Sequence, residues 1–164
     1  MILSDKKLIF VHIPRTGGTI IEKSMTNKFT EKHNYHKHFS AYDYKWAYPE
    51  EWESYFKFGF VRNPFDRFIS LYHFRPKGLS FSDWLDNITL TYIQQVDYGV
   101  DKLDFVGRYE NLQKDFNKYF QGKLTMEHTT NHKHYTEYYN DRLIKKVSDL
   151  AKDDINQFNY EFGK

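Results

Sequence analysis

Apolar positions along this chain come in two patterns, short unbroken runs and longer stretches at helical spacing, and their alternation predicts the fold. Lys7-Leu8-Ile9-Phe10-Val11-His12-Ile13 is a β-branched run ended by Pro14, and beyond Gly17-Gly18 helical spacing sets in at Ile20, Ile21, Ser24 and Met25. That is strand, tight loop, helix. Phe56-Lys57-Phe58-Gly59-Phe60-Val61-Arg62 repeats the pattern, and Asn63-Pro64 opens a helix whose apolar face carries Phe65, Phe68, Ile69 and Tyr72. Between the two, residues 27–48 are polar and histidine-rich, before Pro49-Glu50-Glu51 reads as the first turn of a short helix with its acids at the positive end. Ser80 to Leu85 suits a capped helix start, Asp104 to Tyr109 a third strand and Glu110 to Phe120 a helix. Thr136 to Phe158 has helical spacing at Tyr139, Leu143, Val147 and Leu150. Strands alternating with helices predict an α/β fold with a mostly parallel central sheet flanked by helices. No repeat or linker interrupts the order, so one domain is expected over residues 1–164.

Composition narrows the chemistry. The 24 Lys and Arg nearly balance the 22 Asp and Glu, and a net charge of +2 does not provide the bulk field of a nucleic-acid binder, so any anion specificity must be local. Aromatic residues make up 20% of the chain, which argues for a packed core and against disorder. With no Cys there is no disulfide, thiolate metal site or Cys nucleophile. Met1-Ile2-Leu3 runs straight into Ser4-Asp5-Lys6-Lys7 without an apolar leader, and no stretch has bilayer length, so a soluble, cytoplasmic protein without a membrane segment is expected.

The first strand-to-helix junction, Pro14-Arg15-Thr16-Gly17-Gly18-Thr19, has the makings of a phosphate loop. Backbone N–H groups at a helix start point at an anion, glycines allow its close approach, Thr hydroxyls can donate, and Arg15 adds a fixed charge. It is not the GxxxxGK[ST] loop of nucleotide kinases, because Gly18 is followed by Thr19-Ile20. Read alone, the segment also suits an ordinary strand-to-helix turn. At the second junction Arg62 leaves the strand and Ser70 follows two helical turns on, so both can reach one phosphate. Read alone, Arg62 also suits an ion pair and Ser70 a small packing position.

Phe10-Val11-His12-Ile13-Pro14-Arg15-Thr16-Gly17-Gly18-Thr19 resembles the 5'-phosphosulfate loop of sulfotransferases that use 3'-phosphoadenosine-5'-phosphosulfate (PAPS), above all the carbohydrate-modifying branch, whose loops usually read His-Ile-Pro-Lys-Thr-Gly-Gly-Thr. Arg15 stands where that family normally has a Lys. Phe58 to Tyr72 resembles its 3'-phosphate element, with Arg62 and Ser70 at the family spacing. Asp104 to Leu112 and Asp153 to Phe162 resemble its later segments, so the likeness runs along nearly the whole chain. It implies a P-loop-like three-layer fold, and a PAPS donor that leaves as adenosine 3',5'-bisphosphate. It also implies a hydroxyl-bearing acceptor such as a glycan, and no metal ion. Two phosphate elements in family order suit a nucleotide phosphorylated at both ends.

In-line sulfuryl transfer needs a base at the acceptor hydroxyl and positive charge at the leaving oxygen. Tyr35-His36-Lys37-His38-Phe39 resembles the His-x-His segment of uronyl 2-O-sulfotransferases, whose second His is the base, which implies His38 in that role with His36 second and Glu22 or Glu51 as carboxylate alternatives. Arg15 would stabilise the leaving group. Thr129 to Tyr135 lies where the family carries a loop over the nucleotide, so Asn131, His132 and Lys133 are candidate contacts to adenine or phosphate. His36 and His38 with His132 and His134 form two His-x-His pairs that also read as a zinc site. Trp46, Trp52 and Trp84 fit an acceptor pocket or the core equally. Two further functions stay open, a PAPS-binding module without catalysis, consistent with Arg15, and a nucleotide kinase, weakened by the missing Walker Lys.

Overall fold

Parallel strands read as continuous apolar runs because both of their faces are shielded from water, and three such runs build the sheet of this chain. The computed structural model describes residues 1–26, 37–74, 78–88, 93–125 and 133–164. Strands β1 (Ile2–Leu3), β2 (Leu8–Val11), β3 (Phe56–Val61) and β4 (Phe105–Arg108) lie side by side in that order. β2, β3 and β4 run parallel, in register at Phe10, Phe58 and Phe105, while the two-residue β1 pairs antiparallel with β2. The mixed α/β architecture with a mostly parallel four-stranded sheet flanked by helices is the one expected.

The chain divides into two compact units, Met1–Val61 with Gln95–Glu127 and Arg62–Gln94 with His128–Lys164. The first holds the sheet together with α1 (Gly18–Thr26), α2 (Ala41–Ala47), α3 (Pro49–Ser54) and α6 (Leu112–Phe116). Its core gathers Phe10, Phe58 and Phe60 from the strands, Ile21 and Met25 from α1, and Leu112 and Phe116 from α6. Phe10 and Phe58 stack at 4.9 Å across the β2–β3 register, and each such ring contributes about 1.5–3 kcal/mol by leaving water.

The second unit contains α4 (Pro64–Phe74), α5 (Phe81–Asp86), α7 (Asp141–Leu150) and α8 (Lys152–Phe158). Phe65, Phe68 and Ile69 of α4, the residues the spacing assigned to its apolar face, pack with Phe81, Leu85, Leu143 and Val147. Asn63 and Ser80 cap the starts of α4 and α5, accepting from the N–H groups of Phe65 and Asp83.

Four segments depart from the pattern, the first being β1, a strand at Ile2–Leu3 where none was expected. Within residues 27–48, where no element was assigned, α2 begins at Ser40, whose hydroxyl takes the N–H of Asp43 while the Asp43 carboxylate takes that of Ser40. The helix expected over Glu110 to Phe120 is reduced to α6 after a 3-10 turn at Tyr109–Asn111, and the Asp115 carboxylate in it accepts from the Arg108 N–H and pairs with Lys118. The C-terminal run is a 3-10 turn, Tyr135–Tyr138, followed by two helices. The Asn140 side chain accepts from Leu143 N–H and so restarts the helix, and the chain breaks at Ala151, whose dihedrals leave the helical region.

Candidate active site

β2 ends at Val11, and the chain then turns into α1 through a loop in which Pro14, Arg15 and Thr19 are half-buried. His12, Ile13 and Thr16 are buried, and the Thr16 hydroxyl donates to the Ile13 carbonyl at 2.9 Å, tying the loop to itself. Arg15 (φ 68°) and Gly17 (φ 84°) adopt the left-handed conformation. For Arg15 this is an uncommon geometry; for Gly17 it is available without strain. The Gly17 carbonyl accepts the first helical bonds, from Ile20 and Ile21, so the N–H groups of Gly18 and Thr19 are donors that α1 itself does not use. The loop-to-helix turn therefore has the form of an anion cradle.

His12 organises the floor of this loop. Its ring stacks on Phe10 at 5.6 Å, and its Nδ1 lies 2.8 Å from Oε1 of Glu22, one turn into α1. The ring also fills the space above Gly18, where a Cβ would stand 2.0 Å from Cδ2. Burial holds the His12 imidazole below its ordinary range, against the opposing pull of the Glu22 hydrogen bond and charge. For Glu22, burial acts upward, but the hydrogen bond and charge of His12, with Lys37, outweigh it and keep the carboxyl low. At neutral pH the pair is thus a neutral imidazole donating from Nδ1 to an ionised carboxylate.

His38 comes to the same place from 26 residues away. Its Nδ1–H donates to the His12 carbonyl at 2.9 Å, and the two rings meet edge to face at 4.8 Å. Since a carbonyl only accepts, the proton of neutral His38 sits on Nδ1 and its Nε2 carries the lone pair. Removal of water by packing lowers the ionisation of His38, partly offset by that backbone bond. His38 is nevertheless an exposed residue, so solvent screens much of this effect.

A comparison with known protein families matches the sulfotransferase family over residues 1–86, more than half of the chain's 164. The chain belongs to the sulfotransferase family. No curated protein and no solved structure gives a match. The sulfotransferase match spans the loop at residues 14–19, the His38 segment, and Arg62 with Ser70.

Arg62 directly follows β3 and opens the second unit of the sulfotransferase. Its Nε and Nη2 both donate to Oδ2 of Asp66, at 2.8 and 2.7 Å, which orients the guanidinium from the next turn of the chain. Ser70 follows on α4 and is 1% exposed. Asp66 was not singled out from the sequence, although its i,i+4 spacing from Arg62 is the signal for such a pair. Lys133 is exposed and lies 3.6 Å from Glu137. His36, Asn131 and His132 fall outside the described residues. Glu51 is on α3. Of the three tryptophans, Trp46 on α2 is 87% exposed, whereas Trp52 is a core residue. Among the described residues no group of three or more His, Asp or Glu is placed to hold a metal ion, and no helix is long and apolar enough to cross a membrane.

Proposed function

We propose that this sulfotransferase moves a sulfuryl group from PAPS to a hydroxyl of a carbohydrate acceptor, with His38 as general base. The observation that carries the reading is the position of His38, whose ring is packed on the residue that opens the phosphate loop with Nε2 left as the basic nitrogen. The loop fits the group it would receive: left-handed turns at Arg15 and Gly17 and helix-start donors at Gly18 and Thr19 suit a phosphate approached by main chain.

PAPS supplies, when bound, a sulfuryl group on a phosphate leaving group. Arg15 and the N–H groups of Thr16, Gly17, Gly18 and Thr19 would hold the 5'-phosphosulfate, Arg62 and Ser70 the 3'-phosphate, and Asn131, His132 and Lys133 the adenine or phosphate edge. The acceptor oxygen bonds to sulfur as the bridging phosphate oxygen leaves, and the acceptor proton passes to Nε2 of His38. Arg15 meets the charge on the departing oxygen by charge-assisted hydrogen bonds, where a Lys would act as a point charge. A base must be unprotonated to act, and the lowered ionisation of His38 favours that form at neutral pH.

The second reading, a PAPS-binding module without turnover, is favoured by Arg15 at the usual Lys position. Release of adenosine 3',5'-bisphosphate from PAPS across a glycan panel decides between them, since binding without release supports the module. For the donor assignment, Arg62→Ala is expected to weaken adenosine 3',5'-bisphosphate in calorimetry by about 1.5–3 kcal/mol, the value of a hydrogen bond to a charged group. Unchanged affinity would remove Arg62 from the phosphate site.

A further inference from the structure

Glu22 is the one carboxylate of α1, and it is spent on His12: its Oε1 holds Nδ1 at 2.8 Å. That bond fixes one edge of the imidazole. The opposite edge lies against Gly18, and one face lies on Phe10, so the His12 side chain is held from three directions. A residue so held at the end of β2 has a fixed main chain, and its carbonyl is the acceptor for His38 Nδ1. We propose that His12 and Glu22 are positioning residues for sulfuryl transfer: the Glu22 carboxylate fixes His12, and the His12 carbonyl fixes the His38 ring with Nε2 open to the acceptor. This rests on the reading of His38 as base, and it removes Glu22 from the candidates for that role.

The charged and titratable groups that act on His38 are Lys37 beside it, Glu22 on α1, His12 at the end of β2 and the Met1 amino group. Of these only Glu22 is negative, and it favours the protonated form of His38. A positioning carboxylate of this kind therefore has a titration signature that a packing residue lacks.

Long-range proton–nitrogen NMR on the full chain reads the tautomers directly, with no donor or acceptor present. The parent is expected to show His12 and His38 both protonated at Nδ1 and bare at Nε2 at neutral pH. In Glu22→Gln the amide oxygen still accepts from His12, but the charge is gone, so the His38 midpoint should move to lower pH, and the acid limb of kcat/KM with it. His12→Ala should let His38 populate both tautomers, and His12→Asn, whose amide nitrogen can take the place of Nδ1 and donate to Glu22, should restore the single one. An Nε2-protonated His38 in the parent, or an unmoved His38 midpoint in Glu22→Gln, overturns the proposal even if His12→Ala does not fold. Turnover by His38→Ala equal to the parent would instead overturn the base assignment on which the proposal rests, leaving the NMR result intact.

Discussion

Gly18 has no side chain because the His12 imidazole lies where one would go, 2.0 Å from a Cβ built there at its nearest atom. Replacing Gly by Ala within a helix normally stabilises by about 0.5–1 kcal/mol. In Gly18→Ala the methyl must displace a buried ring bonded to Glu22, and overpacking of this kind costs about 1–3 kcal/mol. The clash should win, so urea unfolding is expected to show net destabilisation; a gain would mean that the ring swings aside freely. The second residue-scale prediction concerns His38→Ala, which should cut turnover by ~10²–10⁴ while leaving adenosine 3',5'-bisphosphate affinity as it was, because a base touches the acceptor and not the donor phosphates. Equal losses in both would place His38 in the donor site instead. Both residues were visible in the chain as parts of motifs. Their relation was not, since ring direction at His12 depends on what packs around it.

At the scale of elements, β2, β3 and β4 and the starts of α3, α4 and α5 were legible, because apolar runs and caps are local properties, whereas the two-residue β1 was not. Helix α2 was passed over, although Ser40-Ala41-Tyr42-Asp43 carries the reciprocal cap. An Asp in place of the usual Glu or Gln, next to a polar, His-rich stretch, hides the signal. A helix of seven residues is marginal by itself, so its cap should matter: Ser40→Ala is expected to cost about 0.5–2 kcal/mol in thermal or urea unfolding. A loss near zero would mean that Tyr44 and Ala41, both buried, hold the helix unaided. The C-terminal run shows the converse error. Its apolar spacing continues through Ala151, but Asn140 starts a helix in mid-run and Ala151 ends one, and spacing alone does not register such breaks.

For the chain as a whole, acid should act earlier than carboxylates alone would allow. His12 and His38 are held below the ordinary imidazole value of 6.5, in both cases chiefly by removal from water. A depressed folded ionisation means that the unfolded state binds protons first as pH falls, so the stability these groups contribute is present above 6.5 and is lost below it. Glu22, also held low, adds a second loss below its ordinary 4.5. The urea midpoint is expected to be lower at about pH 5.5 than at about pH 7.5. Equal midpoints would mean that His12 is solvated and free to charge. What the sequence determined by itself was the alternation of strands and helices, the glycine-bearing strand-to-helix turn at residues 14–19, and the spacing of Arg62 and Ser70 across the second such turn. Each is set by neighbours a few positions apart, through periodicity, capping and glycine. The tertiary structure alone decided that the Glu22 carboxylate belongs to His12 and that the carbonyl of His12 sets the tautomer of His38. It also decided that Trp52 is core while Trp46 faces solvent. These depend on contacts such as that between His12 and His38, 26 residues apart. Such contacts exist only once the sheet and α1 have packed, and no local spacing encodes which polar atom will then lie within 3 Å of another.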